Sequence, residues 1–120
     1  MLTADIHHVS LNVSDTERAL GFYRDVLGMR PLPRPAFTFG GAWLAAGAGW
    51  QIHLIEADVP PDRGQHVAFQ VASVDDTIVA LRAAGLTVGD ARPVGDTGIR
   101  QTFVHDPDGN LIEFTQVPHV

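Results

Sequence analysis

The sequence predicts an α+β fold built from two β-α-β-β-β modules, and three observations carry that prediction. The alternating strand pattern of Ile6-His7-His8-Val9-Ser10-Leu11-Asn12-Val13 returns in His66-Val67-Ala68-Phe69-Gln70-Val71, with His66 standing 58 positions after His8. An amphipathic helix follows each copy and stops at a glycine, Gly28 in the first and Gly85 in the second. Short apolar segments punctuated by glycine and proline complete each half. A repeat of roughly sixty residues that occurs only twice suits two copies facing each other across a pseudo-twofold axis better than a solenoid.

Each element has a local reason. Along the first strand Val9, Leu11 and Val13 share one face, and His8, Ser10 and Asn12 share the other. Ser14 and Asp15 cap a helix expected from about Thr16 to Leu27, because Ala19, Leu20, Phe22, Tyr23, Val26 and Leu27 recur at helical spacing. Three strands are then expected, at Phe37-Thr38-Phe39, Ala42-Trp43-Leu44-Ala45 and Trp50-Gln51-Ile52-His53-Leu54-Ile55, separated by glycines suited to hairpin turns. In the second half Val74-Asp75-Asp76 opens a helix running through Ala84, with Val79, Leu81 and Leu86 as its apolar residues. Strands are expected over 91–94, 99–104 and 111–116, and Asp106-Pro107-Asp108-Gly109 turns the last two into a hairpin. The chain therefore reads as one domain over residues 1–120, with modules at about 1–57 and 64–120. Helices cover the apolar sheet faces, so the opposite faces are expected to curl into a shared concave surface.

Composition narrows the function. A chain of 120 residues has room for one compact domain, and 45 % hydrophobic against 18 % charged residues excludes disorder. Eight Lys and Arg against fourteen Asp and Glu, with no basic cluster, exclude nucleic acid as a partner. The absence of cysteine removes disulfides, thiolate metal sites and thiol nucleophiles together. No apolar run reaches the ~18–20 residues of a spanning helix, and no basic-then-apolar leader opens the chain. A soluble, cytoplasmic protein without a membrane partner is the expectation.

The chemistry concentrates on the polar strand faces. His8 and His66 occupy one repeat position; His53 and Glu113, 60 residues apart, occupy another, each set in a strand whose other face is apolar. Imidazole and carboxylate are what Zn²⁺, Ni²⁺, Fe²⁺ or Mn²⁺ accepts when thiolate is absent, so His8, His53, His66 and Glu113 are the candidate ligands of a divalent metal. The subset His8, His66 and Glu113 is a two-histidine, one-carboxylate set that leaves positions open for substrate. Ser10, Trp43 and Arg100 are candidates for the substrate pocket, Arg100 as a holder of an anionic group, and Trp50, Phe37 and Phe39 could add apolar walls. His7, His105 and His119 receive no role, and Asp106 and Asp108 are explained by turn chemistry.

Four runs carry a family resemblance across nearly the whole chain: His8-Val9-Ser10-Leu11-Asn12-Val13-Ser14-Asp15, Phe22-Tyr23-Arg24-Asp25-Val26-Leu27-Gly28-Met29, Gly64-Gln65-His66-Val67-Ala68-Phe69 and Asp106-Pro107-Asp108-Gly109-Asn110-Leu111-Ile112-Glu113. They resemble the vicinal oxygen chelate superfamily, which includes glyoxalase I, extradiol dioxygenases, fosfomycin-resistance thiol transferases and bleomycin-binding proteins. The resemblance implies a cupped, mixed-sheet half-barrel around a metal, with His8, His66 and Glu113 at the first, third and fourth ligand positions. His53 stands at the second, where glyoxalase I carries Glu or Gln. It further implies a metal that chelates two adjacent oxygens of a small substrate, with Glu113 shuttling a proton in a glyoxalase-like lyase or isomerase. An Fe²⁺ extradiol dioxygenase and a metal-free bleomycin-resistance-type binding protein are the alternatives. Small members commonly dimerise, so a homodimer is expected, with His8 and His53 of one subunit meeting His66 and Glu113 of the other.

Overall fold

A computed structural model describes residues 4–118; His119 lies outside them. The chain divides into two compact units, Met1–Pro61 and Asp62–Val120. Each unit holds one four-stranded mixed sheet and one helical segment. No helix among the described residues is long and apolar enough to cross a membrane.

In unit 1 the order is β1 (His8–Val13), α1 (Thr16–Leu20), a π-helical segment (Gly21–Val26), β2 (Arg30–Leu32), β3 (Gly41–Ala46) and β4 (Trp50–Glu56). The sheet runs β1-β4-β3-β2, with β1 parallel to β4 and the other pairs antiparallel. Asp15 caps α1 by accepting from Arg18 N at 2.8 Å. The expected single helix to Leu27 changes character at Gly21: Leu27 N donates to Phe22 O at 2.9 Å, five residues back. That wider turn lets the consecutive Phe22 and Tyr23 both reach the core, their rings edge-to-face at 4.9 Å. Leu20, Leu44, Ile52, Leu54 and Val13 complete that core.

The strand expected at Phe37–Phe39 does not form, and Arg30–Leu32 takes its place beside β3. β2 is an edge strand, so Pro31 and its missing N–H cost the sheet little there. Residues 33–40 loop away between Pro33, Pro35 and Gly40, with Arg34 Nη2 holding Phe39 O at 2.7 Å.

Unit 2 repeats the plan with β5 (His66–Gln70), α2 (Val74–Ala83), β6 (Arg92–Pro93), β7 (Arg100–His105) and β8 (Leu111–Gln116), in the sheet order β5-β8-β7-β6. Ser73, one residue before the expected start, is the cap of α2, its Oγ accepting from Asp76 N at 3.1 Å. α2 buries Val74, Ile78 and Leu81 and leaves Val79, expected on the apolar stripe, 69 % exposed. The β7–β8 turn is held by the buried Asp106, whose Oδ1 accepts from Asp108 N and Asn110 N at 2.9 Å each. Gly109, at φ +88°, takes the left-handed position that turn needs.

One detail shows how closely the units correspond. The last residue of β4, Glu56, accepts from Thr16 N at 2.9 Å and from Thr16 Oγ1 at 2.7 Å, at the start of α1. The last residue of β8, Gln116, accepts from Val74 N at 2.8 Å, at the start of α2. Both tie a helix N-terminus, whose orphan N–H groups seek acceptors, to the end of the central strand.

Candidate functional site

Strand alternation decides which side chains meet. In unit 1, β1 and β4 are parallel with Ser10 opposite His53, and β3 brings Trp43 opposite His53 from the other side. His8, His53 and Trp43 thereby form a ring stack: Trp43 lies on His53 with centroids 4.3 Å apart at 5°, and His53 lies on His8 at 3.9 Å and 14°. His53 is buried, only 6 % exposed, while His8 is exposed. Burial first, then the neighbouring His8 and His7, push the His53 imidazole below its ordinary value, so it is held neutral with a nitrogen lone pair. Its Nε2 lies 2.8 Å from Gln51 Oε1, an oxygen that can only accept, so Nε2 carries the proton. His7, to which the sequence assigned no role, joins this cluster: its Nδ1 lies 2.9 Å from His8 Nδ1, which leaves His8 Nε2 free of that contact.

In unit 2, His66 on β5 and Glu113 on β8 meet directly, Nε2 to Oε1 at 3.0 Å, with Glu113 in register opposite Phe103. Phe103 packs edge-on against His66 at 5.5 Å. His66 Nδ1 donates to the Gly64 carbonyl at 2.9 Å, which sets the tautomer and aims Nε2 at the carboxylate. The Gly64 carbonyl, then Glu113, hold the His66 pKa above its ordinary value against the opposing effect of burial. Asp62, a residue the sequence reading passed over, fixes this loop: its Oδ1 accepts from Gly64 N at 2.9 Å and its Oδ2 meets His105 Nε2 at 2.9 Å. That hydrogen bond to His105, then the one from Gly64 N, keep the Asp62 carboxyl below its ordinary value. An Asp-x-Gly-x-His spacing just before a strand was the available signal.

Arg100 stands elsewhere than expected. On β7 the residues in step with Phe103 are Gln101 and His105, so Arg100 falls on the helix side, where Nη1 and Nη2 bind Asp75 of α2 at 2.7 and 3.1 Å. It is an ion pair between strand and helix, and Gln101 is the neighbour that shares the face of Phe103. Ser10 and Trp43 do share a face with His53, whereas Trp50 lies on the opposite face at the hairpin end, 48 % exposed.

The residues fit a divalent cation by their chemistry. With Nδ1 protonated toward Gly64, His66 Nε2 and Glu113 Oε1 are two acceptors 3.0 Å apart, a pair that needs a shared proton or a metal between them. Two ligands bound at ~2.0–2.2 Å on adjacent positions would stand about that far apart. Each unit supplies two of the four expected ligands, and among the described residues no group of three or more metal-competent side chains assembles.

Two mixed sheets of this topology, each carrying imidazole or carboxylate on its first and last strands, define the glyoxalase-like class of α+β proteins. The chain belongs to the Glyoxalase/Bleomycin resistance protein/Dioxygenase superfamily, whose sequence profile matches residues 5–114. It is 35 % identical over 123 residues to the lactoylglutathione lyase of Haemophilus influenzae, covering 92 % of this chain and 91 % of that one. Among solved structures it is similar to a glyoxalase family protein from Bacillus anthracis, at a TM-score of 0.86 and 28 % identity over 98 % of both chains. It is also similar to TnmS3, an antibiotic binding protein from Streptomyces, at 0.83 and 26 % over 98 % of this chain and 99 % of that one.

Proposed function

We propose that the chain is a divalent-metal-dependent lyase or isomerase of the glyoxalase type, acting on a small substrate through two adjacent oxygens. The observation that carries the reading is the His66–Glu113 pair, held at 3.0 Å with its imidazole tautomer set by Gly64. His8, His66 and Glu113 would hold the cation, Zn²⁺, Ni²⁺, Fe²⁺ or Mn²⁺, with His53 at the fourth position. When bound, the metal would act as a Lewis acid on the paired oxygens and stabilise the negative charge that develops there.

The chain's own residues then divide the remaining work. Glu113 Oε1 would take the proton from the hydroxyl-bearing carbon beside the carbonyl and return it to the former carbonyl carbon, while the hydroxyl proton passes to the former carbonyl oxygen, so the isomerisation conserves every atom. Its side chain is only 13 % exposed, so the carboxylate is held at the sheet surface with just enough solvent contact for its proton to exchange. His66, anchored through Nδ1 to the Gly64 carbonyl, keeps Nε2 beside Glu113 Oε1, where it would be available to the cation. Trp43 braces His53, and His53 braces the His8 ring.

The proposed assembly is a homodimer in which each cation draws on His8 and His53 of one copy and on His66 and Glu113 of the other. Elemental analysis of protein purified without chelator, with proton exchange assayed on α-hydroxycarbonyl compounds and glutathione hemithioacetals, tests the chemistry. Stoichiometric metal and exchange are expected. Metal-free protein, or metal-loaded protein inert on all of these substrates, overturns the reading. Light scattering that finds a monomer at micromolar concentration overturns the dimer.

A further inference from the structure

The units differ most in the connection between their second and third strands. In unit 2, residues 94–99 close on themselves: Val94 N donates to Ile99 O at 3.0 Å, Thr97 Oγ1 to Val94 O at 2.7 Å and Ile99 N to Thr97 Oγ1 at 3.1 Å. That turn contains no aromatic residue. In unit 1 the connection carries Phe37 and Phe39, which are 43 % and 45 % exposed. Their rings lie parallel, with centroids 4.9 Å apart at 8°. The Arg34 guanidinium sits 4.8 and 5.2 Å from the two ring centres while Nη2 holds the Phe39 carbonyl at 2.7 Å.

Unit 2 builds the same sheet without these rings, so the scaffold does not require them. Leaving both half in water forgoes burial that stabilises by about 25 cal/mol per Å² of apolar surface. The rings are also placed to matter. Phe37 lies 6.1 Å from Trp43, which stacks on His53, which stacks on His8. The exposed platform is thus the outer end of a series of rings leading to candidate metal ligands.

We propose that Phe37 and Phe39 form an aromatic subsite, and that the substrate is a small compound carrying an aromatic ring beside its two adjacent oxygens. For those oxygens the proposal rests on the reading under Proposed function. Flat faces already aligned favour another ring, since aromatic pairs gain beyond their burial at centroid distances of ~4.5–7 Å. The Arg34 cation over the faces favours an electron-rich or anionic ring. By lying on both rings and tying down Phe39, Arg34 is the positioning residue of the platform. Two phenyl groups fall far short of the ~1,200–2,000 Å² that a stable protein interface buries, which favours a small molecule as occupant.

Mandelate and lactate share a hydroxyl-carboxylate oxygen pair and a charge, and differ only in carrying a phenyl or a methyl group. Trp50→Phe leaves Trp43 as the sole tryptophan, since the chain has two, and its fluorescence reports binding with and without added Ni²⁺. Mandelate is expected to bind at least ~10-fold more tightly than lactate, the scale of discrimination an apolar pocket achieves. In Phe37→Ala/Phe39→Ala the ratio should fall toward one, and Phe37→Leu/Phe39→Leu, which keeps apolar volume, should recover only part of it. Equal affinities, no binding of either acid, or a preference that survives in the alanine variant overturns the proposal. So does an alanine variant that changes the light-scattering mass while keeping the ratio, because the rings would then seat a second copy. A platform-dependent preference without proton exchange activity leaves the subsite standing and removes the isomerase reading. Activity without the preference does the reverse.

Discussion

The two units share strand order, register and even the tie between central strand and helix, yet they present different chemistry at matching positions. Where unit 1 has Trp43, His53 and His8 stacked face to face, unit 2 has Phe103, Glu113 and His66, the last two joined at 3.0 Å. Unit 1 lowers an imidazole pKa by burial; unit 2 raises one with a carbonyl and a carboxylate. The comparison teaches that the repeated backbone fixes where side chains converge, and that the residue at each place decides whether it stacks on its neighbour or hydrogen-bonds to it.

The largest effect should come from the matching strand position that carries His53 in unit 1 and Glu113 in unit 2. Glu113→Gln keeps the shape, removes the charge and the proton carrier, and should abolish metal retention and exchange activity. His53→Phe keeps the ring stack but removes the fourth of four proposed ligands, leaving the two-histidine, one-carboxylate set, and should weaken metal binding less than Glu113→Gln does. Elemental analysis of both variants checks the contrast, and equal losses would erase the assigned division of labour.

Core substitution comes next. Leu54, 1 % exposed, has Phe114 as its counterpart, 4 % exposed. Leu54→Ala should cost about 2–5 kcal/mol and Phe114→Ala about 3–5 kcal/mol in chemical denaturation. A separate transition for each unit would show that the cores unfold independently. Smaller still, Asp15→Ala and Ser73→Ala each remove a helix cap and should each cost ~1 kcal/mol, sharpening the match between the units if the two values agree.

The smallest prediction concerns acid. The hydrogen bonds from the Thr16 hydroxyl and N–H hold the Glu56 carboxyl below its ordinary value. A carboxylate whose folded pKa is depressed adds stability above its unfolded pKa and loses it as pH falls through the folded one. Glu56→Gln should therefore flatten the acid limb of thermal stability, while Gln116→Glu should steepen it by giving unit 2 the same titrating tie. Melting curves taken from neutral pH into the acid range decide it, and unchanged slopes in both variants would remove Glu56 as a contributor.

Much of this was legible in the chain. Alternation placed β1, β4, β5 and β8 and the residues that share their polar faces, and Asp106 with Gly109 announced its own turn. Periodicity could not separate an α-helix from a π-turn at Gly21, because the apolar spacing of Phe22 and Tyr23 suits both. It preferred the aromatic Phe37–Phe39 to the plainer Arg30–Leu32 as a strand, since propensity rewards rings and penalises Pro31, while sheet pairing tolerates proline at an edge. Arg100 as a pocket candidate did not disclose its partner, because the Asp75 carboxylate it pairs with lies 25 residues away on α2 and no local pattern links the two.

The order of residues by itself determined the duplicated β-α-β-β-β plan, the shared sheet face of His8 with His53 and of His66 with Glu113, and the turn chemistry, because these follow from local periods of two and of about 3.6 residues. Only the tertiary structure decided which neighbours those side chains meet: the Trp43–His53–His8 stack, the Gly64 anchor of His66, the Arg100–Asp75 pair and the Arg34-held phenyl platform. Those contacts join residues that strand pairing and loop packing bring together across long stretches of chain, and no local period encodes them.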